Sequence, residues 1–341
     1  MDSKKGFEIQ FNWIFVLIVG AAILLFFTVI IYKQRGISQS STKITLLKEI
    51  EKIISGASAS TDTTNIITFP NANIKIDCNK ISIDEVSKQY QNLILFAPSQ
   101  IKGSELMTLT LAFNTPYRST NLLYMTNKQI RYIFIGDNDF AKETIKAFPS
   151  ELKKEIYSLY DSTKIKYFND NKVRLVFANS LFSASSAAPS SLAKMQDSDI
   201  SAVKISGDIE KGQLEFYERK GNSWTSKGTS VYIGKCSLLG AVYSDDLLKY
   251  ECNMKNVFSR LSLVTSVYED RTSELKNYFE QTATRRQVCS DIYQTATAKL
   301  NSIKTSSTDF TQSSIDIIAA AAKDLSQQNK EAQKFSCPLI Y

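Results

Sequence analysis

The run RYIFIG at residues 131–136 is the stretch that decides the fold of this chain. It is short and apolar and it ends at a glycine, which is typical of a buried strand. The spacing after it predicts a helix over residues 140–160, which Pro149 could interrupt, and then a second strand over 172–177. Strand, helix and strand in this order form a βαβ unit, so we expect an α/β domain with a mixed sheet.

Strand-like patterns continue on both sides of this unit. They are found at residues 74–78, 93–96, 109–113 and 202–205, with a helix expected near 83–90. Further on, residues 214–217 and 229–233 predict an antiparallel pair joined through Gly221-Asn222. Together these patterns predict a mixed-sheet α/β domain over residues 65–240.

The last hundred residues change to a helical period. Apolar side chains recur there at spacings of three and four, which predicts three amphipathic helices. The stripes are Val257, Leu261, Val264, Tyr268, Leu275 and Tyr278, then Cys289, Ile292, Ala296 and Ile303, then Ile318, Ala321, Leu325, Gln328, Ala332 and Phe335. We expect a C-terminal three-helix segment over 241–341 that packs on the α/β body; a seam left open for a partner helix is the alternative.

The longest apolar run lies near the amino terminus and extends without a charge from Trp13 to Tyr32. A helix over this run rises about 30 Å, which is the thickness of the hydrocarbon core of a bilayer. Trp13 and Tyr32 stand where aromatic rings prefer the headgroup level, and Lys33 and Arg35 follow. The run predicts a transmembrane helix over 13–32 with these four anchor residues; a removable secretory signal is the alternative.

The segments before the body complete the expected organisation. Residues 1–36 are expected to form an N-terminal anchor. Residues 37–64 are expected to form a short helix and then a flexible stalk, because the Ser- and Ala-rich stretch 55–61, which includes Gly56, breaks the helical pattern. The expected fold class is therefore α+β or α/β: an N-terminal transmembrane helix, a mixed-sheet ectodomain and a C-terminal three-helix segment.

Two short motifs near the amino terminus resemble known families. Lys4-Lys5-Gly6-Phe7 resembles the processing site of type IV pilin-like precursors. This resemblance implies cleavage between Gly6 and Phe7, with the apolar helix kept as anchor and assembly helix. The Lys-Gly opening and the run from Phe11 to Phe15 resemble an uncharacterised family of archaeal single-span membrane proteins, a likeness that carries no known activity.

The chain has five cysteines, and their spacing is not that of a metal site. Whether they form disulfides indicates how oxidising the compartment of the protein is. Cys236 and Cys252 flank one local segment, which suggests a loop-closing bridge. Cys289 and Cys337 would meet in an antiparallel helical hairpin, so we predict a second bridge there, and Cys78 is left without a role. Buried free thiols are the alternative. Two bridges favour an oxidising exterior and an outward-facing body, whereas the Lys and Arg count around the span favours a cytoplasmic one.

Catalytic signatures are few. The chain has no histidine, which excludes Ser-His-Asp triads, Cys-His pairs, HExxH zinc sites and imidazole bases. Asp137-Asn138-Asp139 follows a predicted strand, so Asp137 and Asp139 could bind a divalent metal on a nucleotide-sugar, as in glycosyltransferases with a DxD motif. The alternative is that Asn138 or Asp139 caps the next helix and Asp137 is a turn residue.

The charge pattern and the preceding observations lead to a functional expectation. The net charge is +7, but its basic residues are scattered among acids, so we expect neither a nucleic-acid partner nor a cofactor. We expect a membrane-anchored, outward-facing structural or interaction protein of the cell envelope, one form of which is a pilin-like filament component. Its expected partners are the lipid bilayer and a protein partner or second copy, bound through the transmembrane or C-terminal helices. The alternative is a membrane-tethered, metal-dependent enzyme.

Overall fold

The computed structural model describes residues 5–91, 93–281 and 287–341, without the side chains of 5–15, 30–42 and 57–59. The chain divides into two compact units, Met1–Lys52 and Ile53–Tyr341. Both sheets and the C-terminal helices belong to the second unit. The expected regions 65–240 and 241–341 are therefore parts of one compact body.

The N-terminal segment forms one long helix, α1, over Lys5–Ala59. Among the described residues, no helix combines the length and the apolar character that a membrane span needs. The prediction of a transmembrane helix over 13–32 and of a single-pass membrane location is therefore wrong.

The other predictions for this segment have different outcomes. The side chains of Phe7 and of the predicted anchor residues lie outside the described residues: Trp13, Tyr32, Lys33 and Arg35. Cleavage after Gly6 stays a prediction. The flexible stalk is not observed, because α1 continues to Ala59 and the first strand begins at Thr63. Serine and alanine are compatible with a helix, so a Ser- and Ala-rich stretch alone does not end one.

The described residues of the body form two six-stranded sheets. The first sheet contains β1 Thr63–Asp77, β2 Lys80–Ile83, β3 Val86–Gln89, β4 Leu95–Phe96, β5 Gln100–Asn114 and β6 Arg118–Thr126, in the order β3-β2-β1-β5-β6-β4. Its neighbours are antiparallel except β4 and β6. The helix expected near residues 83–90 is wrong, because that segment forms β3 and its hairpin with β2.

The second sheet contains β7 Ile130–Ile135, β8 Lys154–Tyr157, β9 Lys172–Ala178, β10 Ile200–Gly207, β11 Lys211–Lys220 and β12 Ser223–Ile233, in the order β12-β11-β10-β9-β7-β8. Strands β8, β7, β9 and β10 are parallel, and β11 and β12 are antiparallel. The expected mixed sheet and the expected hairpin at Gly221-Asn222 are confirmed.

The helix between β7 and β8 is shorter than expected. Helix α2 covers Asp139–Lys146 only, and residues 154–157 form β8 rather than a helix that reaches 160. Pro149 explains the difference, because proline cannot donate to the preceding turn and disfavours a helical residue before it.

Four further helices follow the second sheet: α3 Gly234–Tyr243, α4 Leu247–Gln281, α5 Gln287–Ser306 and α6 Gln312–Lys334. Helix α3 lies between the sheets, since the ring of Tyr243 is 5.2 Å from Tyr124 of the first sheet and 5.8 Å from Tyr132 of the second. In α4, Asn253 Oδ1 accepts a hydrogen bond from Leu95 N, and Tyr250 Oη donates one to Val231 O. The core therefore runs between the two sheets through α3 and α4.

The expected helical stripes match the buried faces in part. All four residues of the second stripe are buried, whereas Tyr278 and Phe335, at the ends of the first and third, are exposed. The distal half of α4 instead buries Thr265, Thr272 and Phe279. Each threonine hydroxyl donates to a carbonyl of its own helix, at 2.6 Å, so these polar residues can be buried at positions that an apolar pattern overlooks.

Two disulfides are present. Cys289 at the start of α5 pairs with Cys337 after α6, with Cα atoms 5.9 Å apart, which is the pairing that the helical hairpin predicts. Cys252 pairs with Cys78, not with Cys236 as expected, because α4 carries it to the turn between β1 and β2. Cys236 is the free thiol.

Candidate functional site

The parallel strands of the second sheet end at one edge, and the predicted metal residues lie there. Asn138 Oδ1 accepts a hydrogen bond from Ala141 N at 2.8 Å and caps α2, as the alternative interpretation expects. Asp137 and Asp139 are exposed, and the Asp139 carboxylate is 3.4 Å from Lys142 Nζ. Among the described residues, no group of three or more Cys, Asp or Glu side chains could bind a metal.

In sheets of this kind, ligands bind between two neighbouring strands whose chain connections run in opposite directions along the sheet. Here that position lies between β7 and β9, because β7 is followed by β8 on one side of it and the chain then continues to β9 on its other side. Protein groups fill this point. Asn138 Nδ2 donates to Ala178 O at 2.9 Å. Gly136 has φ +143°, and a Cβ atom there would be 2.7 Å from Ala178 O.

A second asparagine, Asn179, joins the ends of the neighbouring strands β9 and β10 by hydrogen bonds. Asn179 Nδ2 donates to Gly207 O at 2.8 Å, and Gly207 N donates to Asn179 Oδ1 at 3.0 Å. These bonds join the ends of β9 and β10, much as the Asn138 bond joins those of β7 and β9. The described strand ends leave no crevice for a nucleotide at this position.

An open cleft of about 710 Å³ lies farther along the same edge, after the end of β8. Its lining is polar and aromatic: Tyr157, Ser158, Leu159, Tyr160, Asp161, Ser162, Lys164, Ser186 and Ala187. Hydrogen bonds from the Thr163 side chain and backbone hold the pKa of Asp161 below its usual value. Burial raises the pKa of Tyr160 to about 12, and its hydroxyl donates to Ala187 O. Neither group is suited to acid–base chemistry near neutral pH.

Beside this cleft, β8 is an edge strand with an open side. The carbonyls of Lys153 and Tyr157 accept hydrogen bonds from Tyr132 N and Gly136 N of the β7 side. The backbone N–H and C=O groups of successive strand residues point alternately to the two sides of the strand. Since those of Lys153 and Tyr157 face β7, the N–H and C=O groups of Lys154 and Ile156 point away from the sheet. The described backbone offers them no partner.

Two exposed apolar side chains lie at the open side of β8, next to the charged strand residues Lys154 and Glu155. Ile156 is 57% exposed, and Leu159, which follows the strand, is 77% exposed. Strand β3, at one edge of the first sheet, differs from β8, because its exposed side chains are all polar: Ser87, Lys88 and Gln89. Polar and lysine-rich edges resist pairing with another chain, whereas apolar edges favour it.

A buried ion network supports β8 from one face. Arg131 Nη1 donates to Glu155 Oε1 at 2.8 Å, and its Nε is 2.8 Å from Asp170 Oδ2. Both Arg131 and Asp170 have nearly fully buried side chains, and the exposed ring of Phe168 covers the guanidinium at 5.0 Å. Phe168 therefore lies next to β8. We call Lys154, Ile156, Leu159 and Phe168 the β8 edge surface.

Sequence reasoning missed this surface. In residues 154–160 the apolar side chains Ile156, Tyr157, Leu159 and Tyr160 have a helical spacing, which concealed a four-residue strand. Pro149 and the β-branched and aromatic residues Ile156 and Tyr157 are the signals that could have revealed it.

Comparisons with protein-family models, with curated proteins and with solved structures give no match to this chain.

Proposed function

We propose that this chain is a structural or interaction protein of an oxidising compartment, and that it associates with a second copy of itself through the β8 edge surface. The observation that carries the proposal is the open side of β8 with the exposed side chains of Ile156 and Leu159 beside it. The two disulfides support the compartment, because such bonds persist in oxidising environments.

The sequence of β8 suits pairing with itself. In a two-fold antiparallel pair centred on Ile156, this side chain lies opposite the partner's Ile156, and Glu155 lies opposite the partner's Tyr157. Tyr157 Oη already donates to Glu155 Oε2 within the chain, so the two side chains are compatible neighbours. The outward N–H and C=O groups of Ile156 then pair with their counterparts, and Leu159 and Phe168 add apolar contact.

The experiment measures the mass of the full chain against concentration by analytical ultracentrifugation. We expect a concentration-dependent dimer that Ile156→Lys and Ile156→Pro abolish. The proline removes only an outward-facing N–H, so β8 keeps its bonds to β7. Leu248→Lys is the matched control, since Leu248 is an exposed aliphatic residue on α4, away from β8.

A cysteine variant tests the register. In the paired strands, the two Cα atoms of residue 156 are about 5.5 Å apart, which is within disulfide range. Ile156→Cys should therefore form a covalent dimer on mild oxidation, and Leu248→Cys should not. A chain that remains monomeric at high concentration, or equal cross-linking of both variants, would contradict the proposal.

A further inference from the structure

A different part of the body contains a cleft with free cationic groups. It has a volume of about 620 Å³, which is within the range of small-molecule sites. Leu93, Ile94 and Leu123 form its apolar wall, and Arg118, Ser119 and Arg260 are among the polar groups that line it. The start of β6 and the middle of α4 therefore bring two arginines to one cleft.

One hydrogen bond orients Arg118 and leaves its terminal nitrogens unused among the described residues. Its Nε donates to Asn121 Oδ1 at 3.0 Å, and Asn121 Nδ2 donates to Ser60 O at 2.9 Å. Within the described part of the chain, Arg118 has no carboxylate within ion-pair distance. Its two Nη atoms are therefore available to bind a planar anion in a bidentate manner.

Arg260 connects this cleft with a second one of about 590 Å³. The second cleft adds Lys255 and the hydroxyl groups of Ser259 and Ser262. It also contains hydroxyls that donate to backbone carbonyls and can still accept hydrogen bonds, those of Ser266, Ser307 and Thr308. Neither cleft has an Asp or Glu among its described lining residues. The two clefts thus form a surface with cations, hydroxyls and no opposing acid.

The polar groups of these clefts match a sugar better than a nucleic acid. Hydroxyl and amide side chains pair with ring hydroxyls, and the buried Ser119 Oγ has no hydrogen-bond partner among the described residues. A nucleic acid would need more phosphate contacts and several aromatic platforms, whereas the lining contains three cations and a single aromatic residue, Tyr90.

We propose that the two clefts bind an acidic oligosaccharide, whose carboxylate or sulfate groups pair with Arg118 and Arg260 and whose hydroxyls pair with the serine-rich wall. Two adjoining clefts that share Arg260 suit an oligomer rather than a single sugar. The proposal uses none of the residues of the β8 edge surface, so the two can fail separately.

Isothermal titration calorimetry of the full chain at low salt tests it. The probes are an oligogalacturonate for carboxylates, a sulfated heparin oligosaccharide, a neutral maltooligosaccharide of equal length and a single-stranded oligonucleotide. We expect at least one acidic sugar to bind, the neutral sugar and the oligonucleotide to bind at least tenfold more weakly, and the two acidic probes to distinguish carboxylate from sulfate.

Variants locate the site. Arg118→Gln and Arg260→Gln should each weaken binding of the acidic sugar about tenfold, and the double variant should abolish it. Lys194→Gln is the control, because it removes the same charge from an exposed position outside both clefts. The proposal is overturned if neither acidic sugar binds, if the neutral sugar or the oligonucleotide binds as tightly, or if Lys194→Gln weakens binding as much as Arg118→Gln.

Discussion

Cys78 and Cys252 are 174 residues apart in sequence, and their disulfide joins the turn after β1 to helix α4. Helix α4 also bonds to both sheets, through Asn253 and Tyr250. The bridge therefore closes the longest covalent loop among the described residues and fixes the first sheet to the helix that contacts the second.

The two disulfides should differ in their contribution to stability. In the loop-entropy model, a bridge across 174 residues contributes about 5 kcal/mol and one across 48 residues about 4 kcal/mol. We expect Cys78→Ser/Cys252→Ser to lower the free energy of unfolding more than Cys289→Ser/Cys337→Ser. Urea unfolding of both double variants measures this, and the reverse order would contradict it.

Cys236 should be nearly inert in the folded chain. Burial raises the pKa of its thiol to about 11, and the thiolate is the reactive form. We therefore expect alkylation by iodoacetamide at pH 8 about 100-fold slower than for an exposed thiol of pKa 9.0. Unfolding without reductant should expose this one thiol and restore the rate. Rapid labelling of the native chain would show that it is accessible.

The buried ion network beneath β8 should be sensitive to truncation. Asp170→Ala leaves the buried Arg131 guanidinium without the carboxylate beside its Nε, so we expect a loss of about 3–5 kcal/mol in the free energy of unfolding. Asp139→Ala is the control, because the fully exposed Asp139 has only a surface pair with Lys142 and should have little effect. Equal losses in the two variants would mean that burial of the network contributes nothing.

The parts of the fold that follow from sequence are those fixed by neighbouring residues. β7 and β9 are short runs made mostly of apolar residues, and Gly221 has φ +61° in the tight turn between β11 and β12. The stripe of α5 consists of buried residues. Each of these depends on local periodicity or backbone conformation alone, so a single sequence is enough to predict it.

The candidate site depends on contacts between residues that are distant in the chain, and local sequence patterns do not show such contacts. β8 is a strand because β7 pairs with it and because Arg131, which also pairs with Asp170, binds Glu155, although the residues of β8 have a helical spacing. Cys78 pairs with Cys252 because α4 crosses the first sheet. Arg118 and Arg260 share a cleft although β6 and α4 are far apart in the chain.

Gly136 should be intolerant of a side chain. Its φ of +143° and the short approach to Ala178 O mean that Gly136→Ala must strain the backbone or separate the ends of β7 and β9. We expect a loss of about 2–3 kcal/mol or more in the free energy of unfolding. Gly221→Asn is the matched control, since Gly221 has open space around it and asparagine tolerates its conformation. If both variants unfold at the same urea concentration, the strand ends can adapt.

Asp245 should make stability depend on pH. Burial alone raises the pKa of this carboxyl, but the Lys172 ammonium at 2.7 Å and the hydrogen bonds from Ser99 outweigh it and hold the pKa below the ordinary value. A carboxyl whose pKa is lower in the folded state stabilises the fold above its unfolded pKa of about 3.9, and this contribution is lost as the pH falls further.

The difference in unfolding free energy between the native chain and Asp245→Asn should therefore be constant above about pH 5 and shrink below about pH 4. In Lys172→Gln the ammonium is gone and burial dominates, so the folded pKa of Asp245 should lie above its unfolded value. The carboxyl then contributes stability as the pH falls toward about 4 and loses it as the pH rises, which is the reverse of the native chain. Urea unfolding from pH 3 to pH 7 measures all three proteins. Parallel curves for the native chain and Asp245→Asn would show that the carboxyl titrates alike in the folded and unfolded states, in which case the Lys172 pair does not stabilise its charged form.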